Sequence, residues 1–353
     1  MTPGARRDAG RVLVLRALGL GDLLTAVPTL RALRRANPGR EIVLAAPAQL
    51  AEPAAATGAV DRLLPTEAPG RAVPDRLDWT GPPPELAVDL HGNGPPSHRL
   101  LQRLRPGRLL AFAHPGTPGL PGPPWHPDEH ERIRWCRLLS WYGIPADPDD
   151  LLITAPARPS PAPGAIVLHP GADAAARRWP PERFAAVAAA LTARRRRVVL
   201  TAGPGEGPLA RRVADLAGLP AHRIVADPTF AELAALLAGA RALVVGDTGP
   251  AHLATALGTP SVVLFGPVAP SLWGPPDRPR HRTLWHPDPG SPPRPGDAHG
   301  DRPDPRLLRI TPTDVLQALA TLPPPTAAAG SARPAPPTRP RPVTPSPVTG
   351  THP

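Results

Sequence analysis

A short apolar run near the start of the chain is followed by Ala17-Leu18-Gly19-Leu20-Gly21-Asp22, a carboxylate behind two glycines at the mouth of a helix. Glycines let another molecule approach the backbone, and the positive end of a helix favours an ionised carboxylate. Asp22 is therefore a candidate general base for a sugar hydroxyl; the plainer alternative is that it only N-caps its helix. Leu24 stands where a dinucleotide fingerprint has its third glycine, and the carboxylate repels phosphate, so no pyrophosphate is expected at this turn. A second group, Gly246-Asp247-Thr248-Gly249-Pro250-Ala251-His252, follows an apolar strand. Pro250 suits a first helical turn, and the amides of Thr248, Gly249 and Ala251 then point outward as a phosphate or diphosphate site. Asp247 is placed to accept hydrogen bonds from sugar hydroxyls, and His252 to hold phosphate or orient the loop; a capped helix with a solvent histidine is the alternative.

The third group is His169-Pro170-Gly171-Ala172, with Arg177 and Arg178 behind it. A glycine turn and a guanidinium suit a diphosphate that gains charge as it leaves. Arg177 is the expected contact; Arg178 reads as surface charge, and Trp179 and Pro180 as packing. Glu206, after Gly203 and Gly205, either binds a ribose or caps a helix. In the first half, Gly21 and the strand-end residues Asp89, His91 and Asn93 are expected to line an acceptor pocket.

These groups require strands that end where helices begin. The pattern predicts a strand at 11–16 and a helix from Asp22 to Ala36, with Leu23, Val27, Leu30 and Leu33 as its apolar stripe and Pro28 bending it. Strands follow at 41–45 and 86–90, then a Pro/Gly loop at 115–127 and a helix around 129–142. Proline recurs from 156 to 164, as in an extended linker, and divides a domain at 1–155 from one at 165–322. In the second half, strands at 165–169, 197–202, 223–226, 242–246 and 261–265 alternate with helices at 181–193, 208–217, 230–239 and 250–257. Such alternation implies a parallel, doubly wound sheet. The segment 274–305 reads as one long surface loop before a helix at 313–322. The run 323–353, with 11 prolines and no acid, is expected to be disordered.

The length of 353 residues suits two domains and excludes a small disulfide-stapled module. The single cysteine, Cys136, forms no internal disulfide, and no run approaches the roughly 18 apolar residues of a membrane helix. No secretory leader is expected, and the expected location is cytoplasmic, with peripheral contact at the inner face of the cytoplasmic membrane as a further expectation. All 40 basic residues are arginine, so the net charge of +11 reflects composition and does not imply nucleic-acid binding.

Together, GLGDLL with Pro28 downstream, VDLHGN, HPGA with RRWPPERF, and GDTGPAHLATALGTPSVVLFGP ending near Trp273 resemble glycosyltransferase family 9, the ADP-heptose lipopolysaccharide heptosyltransferases. The resemblance implies an α/β fold of GT-B type, with two Rossmann-like domains facing across a cleft. It implies an inverting, metal-independent transfer from a nucleotide-diphosphate sugar, such as an ADP-heptose, to a glycan, lipid-linked or small acceptor. Carried over by position, Asp22 is the base, with Asp247 at the donor sugar and Thr248 and Gly249 at the diphosphate beside His252. Glu206 then lies near the nucleoside, and Arg177 fills a position where the family often has lysine. No cofactor is implied beyond the donor substrate, and a monomer is expected. The rival readings are a non-catalytic sugar-nucleotide or glycan binder and an epimerase or hydrolase of the same fold.

Overall fold

A computed structural model describes residues 10–324, so the disorder expected at 323–353 lies, from residue 325 on, outside the described residues. The described residues form two wholly parallel sheets. In the first, β1 (Arg11–Leu15), β2 (Glu41–Ala46), β3 (Arg62–Pro65), β4 (Leu86–Asp89) and β5 (Arg108–Leu110) take the order β3-β2-β1-β4-β5. The second holds β6 (Ile166–His169), β7 (Val198–Ala202), β8 (Ile224–Ala226), β9 (Ala242–Gly246), β10 (Ser261–Leu264) and β11 (His281–Leu284), in the order β11-β10-β9-β6-β7-β8. Helices cover both faces of such sheets, which explains why β1 after Arg11, and β9, are unbroken apolar runs. Val12 to Leu15 and Leu243 to Val245 are fully enclosed.

Each sheet reverses its strand order beside its first strand, and ligand crevices form at such switch points. Register sets Leu15 opposite Asp89 and His169 opposite Val245, so the loops after β1 and β4, and after β6 and β9, leave their sheets side by side.

The helices are α1 (Leu20–Thr25), α2 (Val27–Ala36), α3 (Ala51–Ala56), α4 (Pro95–Gln102), α5 (Glu131–Trp141) and α6 (Pro181–Ala193). They continue with α7 (Gly207–Leu216), α8 (Phe230–Ala238), α9 (Gly249–Leu257), α10 (Pro270–Trp273), α11 (Pro305–Leu308) and α12 (Pro312–Ala320). The single helix expected over 22–36 is two helices meeting at Ala26. Pro28 explains the break: it has no amide for the Leu24 carbonyl and its ring would strike that oxygen, so it starts α2 instead of bending a longer helix. The break divides the expected stripe. Leu23, Leu30 and Leu33 pack with Phe112 and Trp135 of the first half, whereas Leu24 and Val27 pack with Leu253 and Ala254 of the second.

The segment 274–305 is not one loop, because β11 pairs along the edge of β10 and α11 follows. Its partners, rather than any apolar period, make β11 a strand. The proline run at 156–164 lies against the second sheet: Gly164 donates to the Gly239 carbonyl, and Ala162 is buried in that core. Ile153 already bonds Ala256, so the chain reaches the second half before the prolines begin.

Candidate functional site

The turn after β1 doubles back through a bond from the Leu18 amide to the Arg16 carbonyl, and Gly19 caps α1. Asp22 is the third residue of that helix and not its N-cap. Its Oδ2 accepts from the Gly19 amide at 3.1 Å, which anchors one carboxylate oxygen at the helix N-terminus. Two guanidinium groups approach the carboxylate: Arg16 Nη2 lies 3.8 Å from Oδ1 and Arg71 Nη1 lies 3.8 Å from Oδ2. Arg71 also pairs with Asp173 of the second half at 2.5 Å, and Asp173 lies 3.8 Å from Arg177. A line of alternating charges thus crosses from Asp22 to Arg177.

On the opposite side, Thr248 caps α9, and Pro250 occupies its first turn, as expected. The Ala251 amide turns back to the Thr248 carbonyl at 3.0 Å, so Thr248 and Gly249 supply the outward donors, one fewer than expected. Arg177 Nη1 donates to the Asp247 carbonyl at 3.2 Å, which fixes the guanidinium beside these amides. His252 Nε2 lies 3.7 Å from Asp247 Oδ1, and its ring meets Trp273 edge-on at 5.9 Å.

Glu206 caps α7 by position, and its carboxylate accepts from the Gly203 amide at 2.7 Å. A Cβ on Gly171 would lie 2.0 Å from that carboxylate, so only glycine fits there. His169 Nδ1 meets Thr201 Oγ1 at 3.1 Å and its Nε2 lies 3.6 Å from Glu206. Burial holds its imidazole below the ordinary histidine value, against the pull of Glu206.

The two sides meet because α1 packs on α9. A Cβ on Gly21 would come 2.7 Å from His252 Cδ2, and one on Gly249 would come 3.4 Å from Leu20. Between them lies a cavity of about 640 Å³, lined by Gly21 and Asp22 from one side and by His169, Arg177, Glu206, Asp247, Thr248, Gly249 and His252 from the other. That volume falls within the roughly 300–1,000 Å³ typical of small-molecule sites.

Asp89, His91 and Asn93 do not line this cavity, contrary to expectation. Asp89 is fully buried, and its Oδ1 accepts from the amides of His91 and Gly92, the loop that was to open outward. Burial pushes its carboxyl up to about 6 and lowers the His91 imidazole to about 4. The cavity also takes Gln49, Arg71, Asp173, Arg294 and His299, none of which the sequence marked. Arg71 follows Gly70 in a turn where both backbones are left-handed, with φ of 61° and 63°. Arg294 and His299 ride on a strap held by bonds from Ala269 to the Pro293 carbonyl and from Ala176 to the Gly300 carbonyl. No periodicity signals either segment. Among the described residues no group of three or more His, Cys, Asp or Glu side chains is arranged to hold a metal ion. None of their helices is long and apolar enough to cross a membrane.

Residues 149–292 match the sequence model of glycosyltransferase family 9 (heptosyltransferase). Lipopolysaccharide heptosyltransferase 3 of Escherichia coli is 37% identical over 113 residues, which are 31% of this chain and 33% of that protein. Lipopolysaccharide heptosyltransferase 1 of Pseudomonas aeruginosa is 38% identical over 114 residues, 32% of this chain and 31% of its own. The match thus spans about a third of these curated relatives. The crystal structure of a family 9 glycosyltransferase from Veillonella parvula superposes with a TM-score of 0.70 at 19% identity, over 89% of this chain and 97% of that one. The Escherichia coli ADP-heptose lipopolysaccharide heptosyltransferase II gives 0.66 at 20% identity, over 88% and 97%. Escherichia coli heptosyltransferase WaaC with ADP gives 0.64 at 20%, over 88% and 99%. At such identities the likeness is one of fold, and the fold is the GT-B arrangement of two parallel α/β sheets.

Proposed function

We propose that the chain, whose residues 149–292 match the glycosyltransferase family 9 (heptosyltransferase) model, transfers a heptose from ADP-heptose to a hydroxyl of a lipopolysaccharide-type, lipid-linked glycan. One observation carries this reading: a carboxylate on the first half and an anion site on the second open into the same cavity. In the reaction the second half takes the donor. Its diphosphate lies against the Thr248 and Gly249 amides, Arg177 and His252, with the sugar hydroxyls at Asp247 and the ribose at Glu206.

The first half takes the acceptor over Gly21. The acceptor oxygen attacks the anomeric carbon on the face opposite the diphosphate, and Asp22 takes the hydroxyl proton. The bond from that carbon to the diphosphate oxygen breaks, ADP leaves, and the configuration inverts. Arg177 and the α9 N-terminus meet the growing negative charge, the work a divalent cation otherwise does. Packing of α1 on α9 excludes the water that would hydrolyse the donor. The names of the curated relatives support a lipopolysaccharide-type acceptor, and with it a place at the cytoplasmic face of the membrane.

The test is transfer by the purified chain, read as ADP release and as product mass across a panel of glycan acceptors. ADP-heptose should be consumed only when an acceptor is present. Asp22→Asn should lower kcat by about 10²- to 10⁴-fold, the usual weight of a general base, and leave ADP affinity within twofold. Release of free sugar regardless of acceptor would make the protein a hydrolase, and undiminished transfer by Asp22→Asn would remove the base.

A further inference from the structure

Behind Asp22 lies a charged group that the reaction scheme leaves unused. Arg16, the residue after β1, is 1% exposed and among the largest fully buried side chains. A buried guanidinium is costly unless its donors are occupied and its charge is met. Here Nε donates to the Asp22 carbonyl at 2.6 Å, Nη1 to the Leu90 carbonyl, and Nη2 to Thr25 Oγ1 at 3.3 Å and Glu131 Oε1 at 3.0 Å. Its Cζ lies 5.0 Å from the Trp135 ring centre. Glu131, at the start of α5, is itself held by Trp135 Nε1 at 2.8 Å and Arg134 Nη1 at 2.5 Å. Burial pushes the Glu131 carboxyl up, but Arg16 and Arg134 outweigh it and leave the group below its ordinary value, so Glu131 is a fixed negative charge.

One guanidinium therefore ties the residue after β4, the middle and C-terminal end of α1 and the start of α5 to one point, 3.8 Å from Asp22 Oδ1. α1 has six residues and ends at a break, too short to hold its own axis. We infer that Arg16 is the positioning residue of the proposed base: from beneath the cleft it fixes the direction of the Asp22 carboxylate and sets a positive charge 3.8 Å from it, with Glu131 holding Arg16 in turn. This rests on Asp22 being the base. A lysine at position 16 would bring one compact charge but not the planar fork that reaches all four partners. Since the chain has no lysine anywhere, the residue type alone is no clue, and the geometry carries the inference.

The other charged or titratable groups around Asp22 are Arg71 from its turn, His91 from the loop after β4, and His252 of α9, packed on Gly21. Arg71 is about half exposed and shared with Asp173, so Arg16 is the enclosed cation of the set.

The experiment compares kcat/KM against pH for the wild type, Arg16→Lys, Arg16→Gln, Glu131→Gln and Asp22→Asn, with calorimetric ADP affinity measured alongside. Arg16→Lys should lower kcat about a hundredfold through misplacement of the base, with ADP affinity within twofold of wild type. Arg16→Gln removes the cation, and the acidic limb of the profile should move to higher pH. Glu131→Gln removes the opposing anion and should move that limb to lower pH. General loosening of the fold does not produce opposite shifts with donor affinity retained. If Arg16→Gln fails to fold, the Glu131→Gln limb and the Arg16→Lys kcat decide. Limbs that stay in place while Asp22→Asn is inactive overturn the role of Arg16 alone, whereas an active Asp22→Asn overturns the base and this inference with it.

Discussion

Asp22, Asp247 and His252 owe their place to a feature visible in the sequence: each stands where an apolar strand gives way, through glycine, to a helix. The same logic failed at Asp89. That residue also ends a strand, but its loop folds two amides back onto the carboxylate and shuts it away from the cleft. Arg71, Arg294 and His299 were not legible, because they reach the cavity from segments whose path is set by distant backbone partners. At this scale Gly171 offers a clean test. A methyl group there would fall 2.0 Å from the Glu206 carboxylate and push it off the Gly203 amide. Gly171→Ala should raise the donor KM about tenfold, the cost of one displaced charged hydrogen bond, with a smaller change in kcat. Steady-state kinetics at saturating acceptor would read it, and an unchanged KM would separate Glu206 from the donor.

Among the elements, the second-half strands and helices from 165 to 265 were readable within a residue or two, since apolar runs and 3.6-residue stripes alternate there, whereas α10, β11 and α11 beyond them were not. In the first half, β3, α3, α4 and β5 are short, and proline and glycine surround them, so their pattern is too brief to recognise. The division of the expected helix at Ala26 has the largest consequence. It leaves α1 facing α9, with Leu24, 1% exposed, in the core of the other half. Leu24→Ala should cost about 2–5 kcal/mol, as buried leucine truncations do. Urea denaturation would show it as a lower midpoint, and an unaltered midpoint would mean that α1 does not bear on the second half.

For the molecule as a whole, buried titratable groups set how stability follows pH. Burial holds His91, His98 and His281 at about 4, against 6.5 in the unfolded chain. The stability each contributes is complete above 6.5 and is lost as pH falls through 4. Asp89 acts in the opposite sense. Folded, it keeps its proton to about 6; unfolded, it releases it at 3.8, so its contribution is complete below 3.8 and lost as pH rises through 6. Asp89→Asn has no such loss. Relative to wild type it should gain about 2 kcal/mol between pH 4 and pH 7, most of the worth of the Asp89 shift, measurable by denaturation at the two pH values. A constant difference would mean that Asp89 is not held protonated.

The alternation of strands and helices made a parallel, doubly wound sheet legible, the resemblance to family 9 gave the GT-B arrangement, and in the structure four glycine-bearing strand ends meet at two switch points. What those ends hold is the central claim, and calorimetric titration of ADP-heptose into the wild-type chain and into Arg177→Met tests it most directly. One site per chain should appear in the wild type, with affinity about tenfold or more weaker in Arg177→Met, as expected for loss of a charged hydrogen-bonding partner. No binding to the wild type, or equal binding by both proteins, would contradict the placement of the donor diphosphate between Arg177 and the N-terminus of α9.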